Sequence, residues 1–168
     1  RSTVQFKLAT PRPVNFPLYL RLPRWSGPPV VRLNGQDISV PAHPLTYLQI
    51  RRPWTDADTL VVQFPMRLNT RVWTRNHNAV SVDYGPLTFS LQIGERWEKY
   101  GGSDAWPEWE VFPTTPWNYG LVIDPQAPAR SFAVEHRTGP VPDQPFTPAT
   151  APITIRARAR QFPGWQTD

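Results

Sequence analysis

The sequence contains no cysteine. Disulfides, zinc–thiolate centres and a cysteine nucleophile are therefore excluded within it. This absence leaves open whether the protein works in a bacterial cytoplasm or is secreted or periplasmic. No apolar run reaches the ~18 residues that a membrane-spanning helix needs, so no membrane partner is expected. No signal peptide is visible and the chain begins at Arg1, so it is expected to be a fragment or a processed product. Lysine is nearly missing: Lys7 and Lys99 are the two lysines, and arginine supplies the rest of a net charge of +5. Basic domains invite a nucleic-acid reading. Here the arginines are scattered as on a solvated surface, and no nucleic-acid partner is expected. Histidine is sparse as well. His43, His77 and His136 stand far apart, without metal-ligand spacing, so no metal site is expected. Esterase elbows, dinucleotide fingerprints and phosphate loops are all missing.

What the chain does have is proline and aromatic rings. Twenty-two prolines accompany eight tryptophans, eight phenylalanines and five tyrosines. Proline breaks helices and the interior of sheets but is tolerated between short strands. Period-two alternation marks half-buried strands over residues 3–9, where Val4, Phe6 and Leu8 share a face, and over 16–22, where Phe16, Leu18, Leu20 and Leu22 do. Val30–Leu33 leads into Asn34-Gly35, a strong hairpin signal, because both residues tolerate positive φ. Further strands are expected at 47–51, 59–64, 68–73, 79–84 and 87–93. This density of short strands predicts an all-β fold, an antiparallel β-sandwich resembling a jelly roll.

Residues 94–128 differ, with seven large aromatics in a stretch broken by Gly101-Gly102 and several prolines. Strands are expected there at 108–112 and 121–123 only, the rest being an aromatic-pinned loop. Another strand is expected at 131–136. A proline-rich connection over 139–152 follows, then one uninterrupted strand over 153–160 with Arg156, Arg158 and Arg160 facing outward. The expected organisation is a main sandwich over 1–138, the connection over 139–152, and a final strand and tail over 153–168 returning to the sandwich.

Carboxylate pairs would serve glycoside hydrolysis, in which one acid protonates the leaving oxygen and a second group attacks or activates water. Asp56 with Asp58, and Asp104 with Glu108 or Glu110, are the pairs the spacing offers. Turn formation and surface pairing explain them more simply, and no catalytic residue is assigned. The aromatic cluster admits three roles: core, domain interface, or a platform for the apolar faces of sugars. The candidate interface or carbohydrate residues are Trp97, Trp106, Trp109, Trp117, Asn118 and Tyr119.

A resemblance rests on ordered phrases: Phe16-Pro17-Leu18-Tyr19-Leu20-Arg21-Leu22-Pro23-Arg24-Trp25, Val31-Arg32-Leu33-Asn34-Gly35, Phe64-Pro65-Met66, Tyr84-Gly85-Pro86-Leu87, Trp117-Asn118-Tyr119-Gly120-Leu121, and Gln161-Phe162-Pro163-Gly164-Trp165. In this order they resemble the C-terminal β-sandwich region of the beta-L-arabinofuranosidase family of glycoside hydrolases, family 127. The resemblance implies an (α/α)6 catalytic barrel on the same polypeptide, carrying zinc, a cysteine nucleophile and an acid/base glutamate. None of those roles can pass to this cysteine-free segment, so no cofactor is expected in it. The resemblance thus implies a non-catalytic accessory domain that packs on the barrel and could support a homodimer. A stand-alone carbohydrate-binding module is the alternative. Tyr84 stands where many relatives have arginine, which implies a divergent subgroup.

Overall fold

The computed structural model describes residues 2–165. Among these the chain forms fifteen strands and one short 3-10 turn, Pro128–Ser131, with no helix long and apolar enough to cross a membrane. The strands pair antiparallel. The chain divides into two compact units, 1–88 and 89–168. Residues 166–168 of the expected tail lie outside the described residues.

The first unit opens with β1 (Ser2–Lys7), β2 (Val14–Arg21), β3 (Val30–Leu33), β4 (Gln36–Ile38), β5 (Tyr47–Trp54) and β6 (Thr59–Phe64). One sheet has the order β1-β6-β3-β4, and β2 pairs with β5 in a second. Alternation sets which side chains meet. Leu48, Ile50 and Trp54 of β5 are buried, as are Leu60, Val62 and Phe64 of β6 and Val31 of β3. These residues form one cluster, joined by Phe16, Leu18 and Leu20 of β2. Two sheets therefore face each other across a shared core, the arrangement the alternation predicts. Each fully buried Leu or Val contributes about 1.5–3 kcal/mol of transfer free energy. The Asn34-Gly35 turn is present, with φ of 50° and 82° at the two residues.

One inward residue of β5 is charged. Arg52 lies opposite Phe16 in the register, on the same face as Ile50 and Trp54. Its guanidinium sits 5.4 Å from the Trp54 ring centroid, and one nitrogen is 3.6 Å from the Asp58 carboxylate. Asp58 is buried in the β5–β6 turn. It accepts a 2.7 Å hydrogen bond from the Asn34 amide and a 2.8 Å bond from the Thr55 N–H. Asn34 in turn accepts from the Thr59 N–H at 2.8 Å. The β3–β4 hairpin and the β5–β6 turn are thus tied together through one carboxylate.

The unit continues with β7 (Leu68–Trp73), β8 (Ala79–Tyr84) and β9 (Leu87–Phe89), ordered β7-β8-β9. The strand expected over 87–93 ends at Phe89, since the chain leaves the sheet before the Gly94 turn.

The second unit is made of strand pairs. β10 (Glu95–Gly102) pairs with β11 (Pro107–Pro113), β12 (Tyr119–Leu121) with β15 (Ala159–Gln161), and β13 (Phe132–His136) with β14 (Ile153–Ala157). Three sequence expectations are corrected. The strand expected over 121–123 runs over Tyr119–Leu121. Residues 95–102 are a strand and not a loop. Both faces of β10 are exposed apart from Gly101, so it carries no apolar alternation to reveal it. The alternating run over 153–160 is two strands. The chain changes partner at Arg158, whose carbonyl accepts from the Val122 N–H at 2.9 Å. The three arginines consequently do not form one stripe: Arg156 pairs with Glu135 at 2.7 Å, and Arg160 lies 5.8 Å from the Phe162 ring. The proline-rich connection joins the antiparallel β13 and β14. Its ends are fastened by the Arg137 N–H donating to the Pro152 carbonyl at 2.9 Å.

The units differ in one decisive respect. All the buried hydrophobic residues lie between Leu22 and Val82. No described residue of the second unit is buried.

Candidate functional site: an exposed aromatic ribbon

The β10–β11 hairpin places most of the aromatic cluster. Its register sets Trp97 opposite Val111 and Lys99 opposite Trp109, so Trp97 and Trp109 are diagonal neighbours on one face. Their rings meet edge to face with centroids 6.4 Å apart. The Trp97 indole N–H donates to Glu95 at 3.0 Å, and Lys99 pairs with Asp104 at 2.9 Å. The other face carries Arg96, Glu98, Glu110 and Phe112. Arg96 is ion-paired to Glu98 and lies 4.8 Å from the Phe112 ring centroid. A bulge between Lys99 and Gly101 leaves Tyr100 without a register partner.

Trp106 stands at the hairpin tip and is 82% exposed. The turn beneath it is built by backbone chemistry. The Ser103 N–H donates to the Trp106 carbonyl at 3.1 Å, and the Trp106 N–H donates to the Ser103 hydroxyl at 3.1 Å. Gly102 has φ of +76°, and a Cβ there would stand 2.3 Å from the Trp106 carbonyl oxygen. Only glycine meets both conditions. Gly102→Val is therefore expected to open the hairpin. The observable is the far-ultraviolet circular-dichroism couplet of the Trp97–Trp109 pair, which disappears in the variant. A preserved couplet would show that the turn does not depend on Gly102.

Tyr119 belongs to a different pair, β12–β15, and Trp117 and Asn118 immediately precede it. Tyr119 lies opposite Gln161, and the Phe162 N–H donates to the Asn118 carbonyl at 2.8 Å. The Asn118 amide donates to the Phe162 carbonyl at 2.8 Å and accepts from Gln161 at 3.2 Å. Phe162 packs on Gly120 and stacks on Trp165 with centroids 4.8 Å apart. The two aromatic phrases at 117–121 and 161–165 are thus halves of one clasp. Asn118 has a structural task that its sequence context did not reveal.

The carboxylate candidates separate. Asp58 is the buried turn anchor, and Asp56 accepts from the Thr10 N–H at 3.2 Å. Asp104 is paired to Lys99. Glu108 and Glu110 share a face of β11, as alternation predicts, and the Glu108 carboxylate lies against Gly101. The acidity of Asp58 is displaced. The Asn34 amide, and after it the Thr55 N–H, hold its carboxyl below the usual range, with burial opposing and Arg52 assisting. A carboxylate ionised and used up in this way cannot act as a proton donor near neutral pH. Among the described residues no group of three or more His, Asp or Glu could hold a metal ion.

The first unit, with its two facing sheets, contains the stretch that matches a known family. Residues 1–66 match the family model described as beta-L-arabinofuranosidase, GH127 middle domain. The matched residues run from β1 to just past β6 and so contain both sheets and the Asn34–Asp58 tie. That model is of a middle domain, whereas the sequence phrases implied the C-terminal sandwich region. A solved glycoside hydrolase aligns over 51% of this chain at 27% identity with a TM-score of 0.47. A GH127 beta-L-arabinofuranosidase from Geobacillus stearothermophilus T6 aligns over 66% at 19% identity with a TM-score of 0.46. The chain covers 15% of the former and 25% of the latter. No curated protein matches it.

Proposed function

We propose that this chain is a non-catalytic accessory region of a beta-L-arabinofuranosidase-type glycoside hydrolase, and that its second unit docks on the enzyme's (α/α)6 barrel. The observation that carries this reading is the absence of any buried residue among the described residues of the second unit. Isolated two-stranded ribbons are marginal in water, and they gain stability when an apolar face is covered. The β10–β11 ribbon offers Trp97, Tyr100, Trp106, Trp109 and Val111, all exposed. Large aromatics of this kind anchor interfaces because each buries ~150–250 Å². The match of residues 1–66 to the GH127 middle-domain model supports the same parent enzyme.

The test uses the barrel encoded with this chain, expressed separately and mixed with the 168-residue chain. Binding is expected, with blue-shifted tryptophan emission. The double variant Trp97→Ala/Trp109→Ala is expected to weaken it by about tenfold or more, since interface aromatics commonly contribute 2 kcal/mol or above. Unchanged affinity in the double variant would remove the ribbon from the interface. A carbohydrate-binding module is the second reading, favoured by the 82% exposure of Trp106 at the ribbon tip. Retention of the chain on a glycan array, abolished by Trp106→Ala and without barrel binding, would select it.

A further inference from the structure

The first unit contains an open groove of about 540 Å³ that the docking proposal does not use. Its walls are the β2–β3 connection and the outer face of β7–β8. Arg24, Arg67 and Arg71 line it, with Asp83 as the sole acidic group. Asp83 is already engaged. Arg71 lies 3.5 Å from it, and the Thr88 hydroxyl donates to it at 2.7 Å. Arg71 is fixed on its other side by the Trp73 ring, 4.4 Å from its guanidinium carbon. Arg24 and Arg67 have no acidic partner among the described residues.

Arg67 is also positioned. Its guanidinium lies flat against the backbone at Gly27, with Cζ, Nε and one terminal nitrogen 3.1–3.2 Å from where a Cβ would stand. The adjoining segment is anchored. Ser26 is buried and its hydroxyl donates to the Gly27 carbonyl at 2.7 Å, while Trp25 packs edge to face on Phe64 of the core at 6.1 Å. Asn69 adds an amide to the lining, and Trp25 and Pro86 add apolar surface.

From this arrangement we infer that the groove is a binding site for a carboxylated sugar, a uronate residue of an acidic glycan. Unpaired guanidinium forks match a carboxylate geometrically and bind it by charge-assisted hydrogen bonds. The apolar parts of Trp25 and Pro86 suit the C–H face of a sugar ring, and Asn69 suits its hydroxyls. The volume lies within the range of small-ligand sites. This inference is independent of barrel docking, because no groove residue belongs to the second unit.

The experiment titrates the 168-residue chain with D-galacturonate, D-galactose and inorganic phosphate, following the arginine Nε–H and Trp25 indole signals by NMR. Saturable binding of galacturonate is expected, with shifts at Arg67 and Trp25, and none with galactose. Arg67→Ala is expected to weaken binding about tenfold, and Arg67→Lys to recover it only in part, because the fork is lost while the charge remains. Both variants alter an exposed side chain, and an unchanged melting temperature verifies that they fold. Equal response to galactose would overturn the inference, as would a failure to saturate or an affinity indifferent to Arg67. Phosphate binding as tight as galacturonate would also overturn it, by showing a general anion site.

Discussion

Trp54→Ala is expected to lower the stability of the first unit by about 3–5 kcal/mol, the range for removing a large buried aromatic. Trp54 is fully buried at the end of β5, where it closes the space between the two sheets. Its ring sits 5.8 Å from Phe16, and its indole N–H donates to the Phe16 carbonyl at 3.0 Å. The substitution therefore leaves a cavity, a Phe16 carbonyl with one hydrogen bond fewer and an inward guanidinium without its aromatic support. Trp54→Phe separates these terms. It keeps most of the volume and removes the donor, and the expected loss is about 1–3 kcal/mol. Urea unfolding followed by circular dichroism measures both. A loss below about 1 kcal/mol for Trp54→Ala would mean that the sheets do not close over this residue.

Asp58→Ala is the second large effect. It strips acceptors from the Asn34 amide, the Thr55 N–H and Arg52 at one stroke. The β5–β6 turn loses its anchor beside Ala57, a non-glycine residue held at φ of 63°. Asp58→Asn is expected to be milder, because one side-chain oxygen still accepts. The pH dependence follows from the direction of the shift. The folded carboxyl is more acidic than the unfolded one, so its contribution is complete above the ordinary carboxylate value near pH ~4. It is lost as pH falls from there through the lower folded value. The gap in urea midpoint between the natural chain and Asp58→Ala should therefore be constant from neutral pH to about pH 5 and shrink below about pH 4. A gap that does not change with pH would show that the ionised form plays no part.

The first unit was legible because its physics is local. Phe16, Leu18 and Leu20 alternate, as do Leu48 and Ile50, and Leu60, Val62 and Phe64. One buried face per strand writes itself into the sequence at period two. Asn34-Gly35 announced its turn for an equally local reason, since few other pairs accept two successive positive φ values. The ribbon was not legible. β10 has no buried face, so charges and aromatics occupy its two sides alike and no period emerges. The run over 153–160 failed in the opposite way. It alternates throughout, but alternation says nothing about a change of partner at Arg158.

The candidate site divides along the same line. Sequence alone selected Trp97, Trp106, Trp109, Trp117, Asn118 and Tyr119 by their crowding. The fold brings Trp97 and Trp109 into contact, raises Trp106 on a turn that only glycine permits, and commits Asn118 to the clasp with Phe162. It also assembles what no local pattern signals. Arg24 and Arg67 are 43 positions apart in the chain, and their meeting at one groove depends on where the β2–β3 connection lands. Asn34 and Asp58 likewise meet across 24 positions.

By itself, the sequence determined the all-β class, the absence of thiol chemistry and the strands of the first unit, because residue type and period-two spacing act within a few residues. Tertiary structure alone decided which carboxylate is buried, which arginines stay unpaired and which tryptophans remain in solvent, because burial and pairing are set by segments that the chain brings together from a distance.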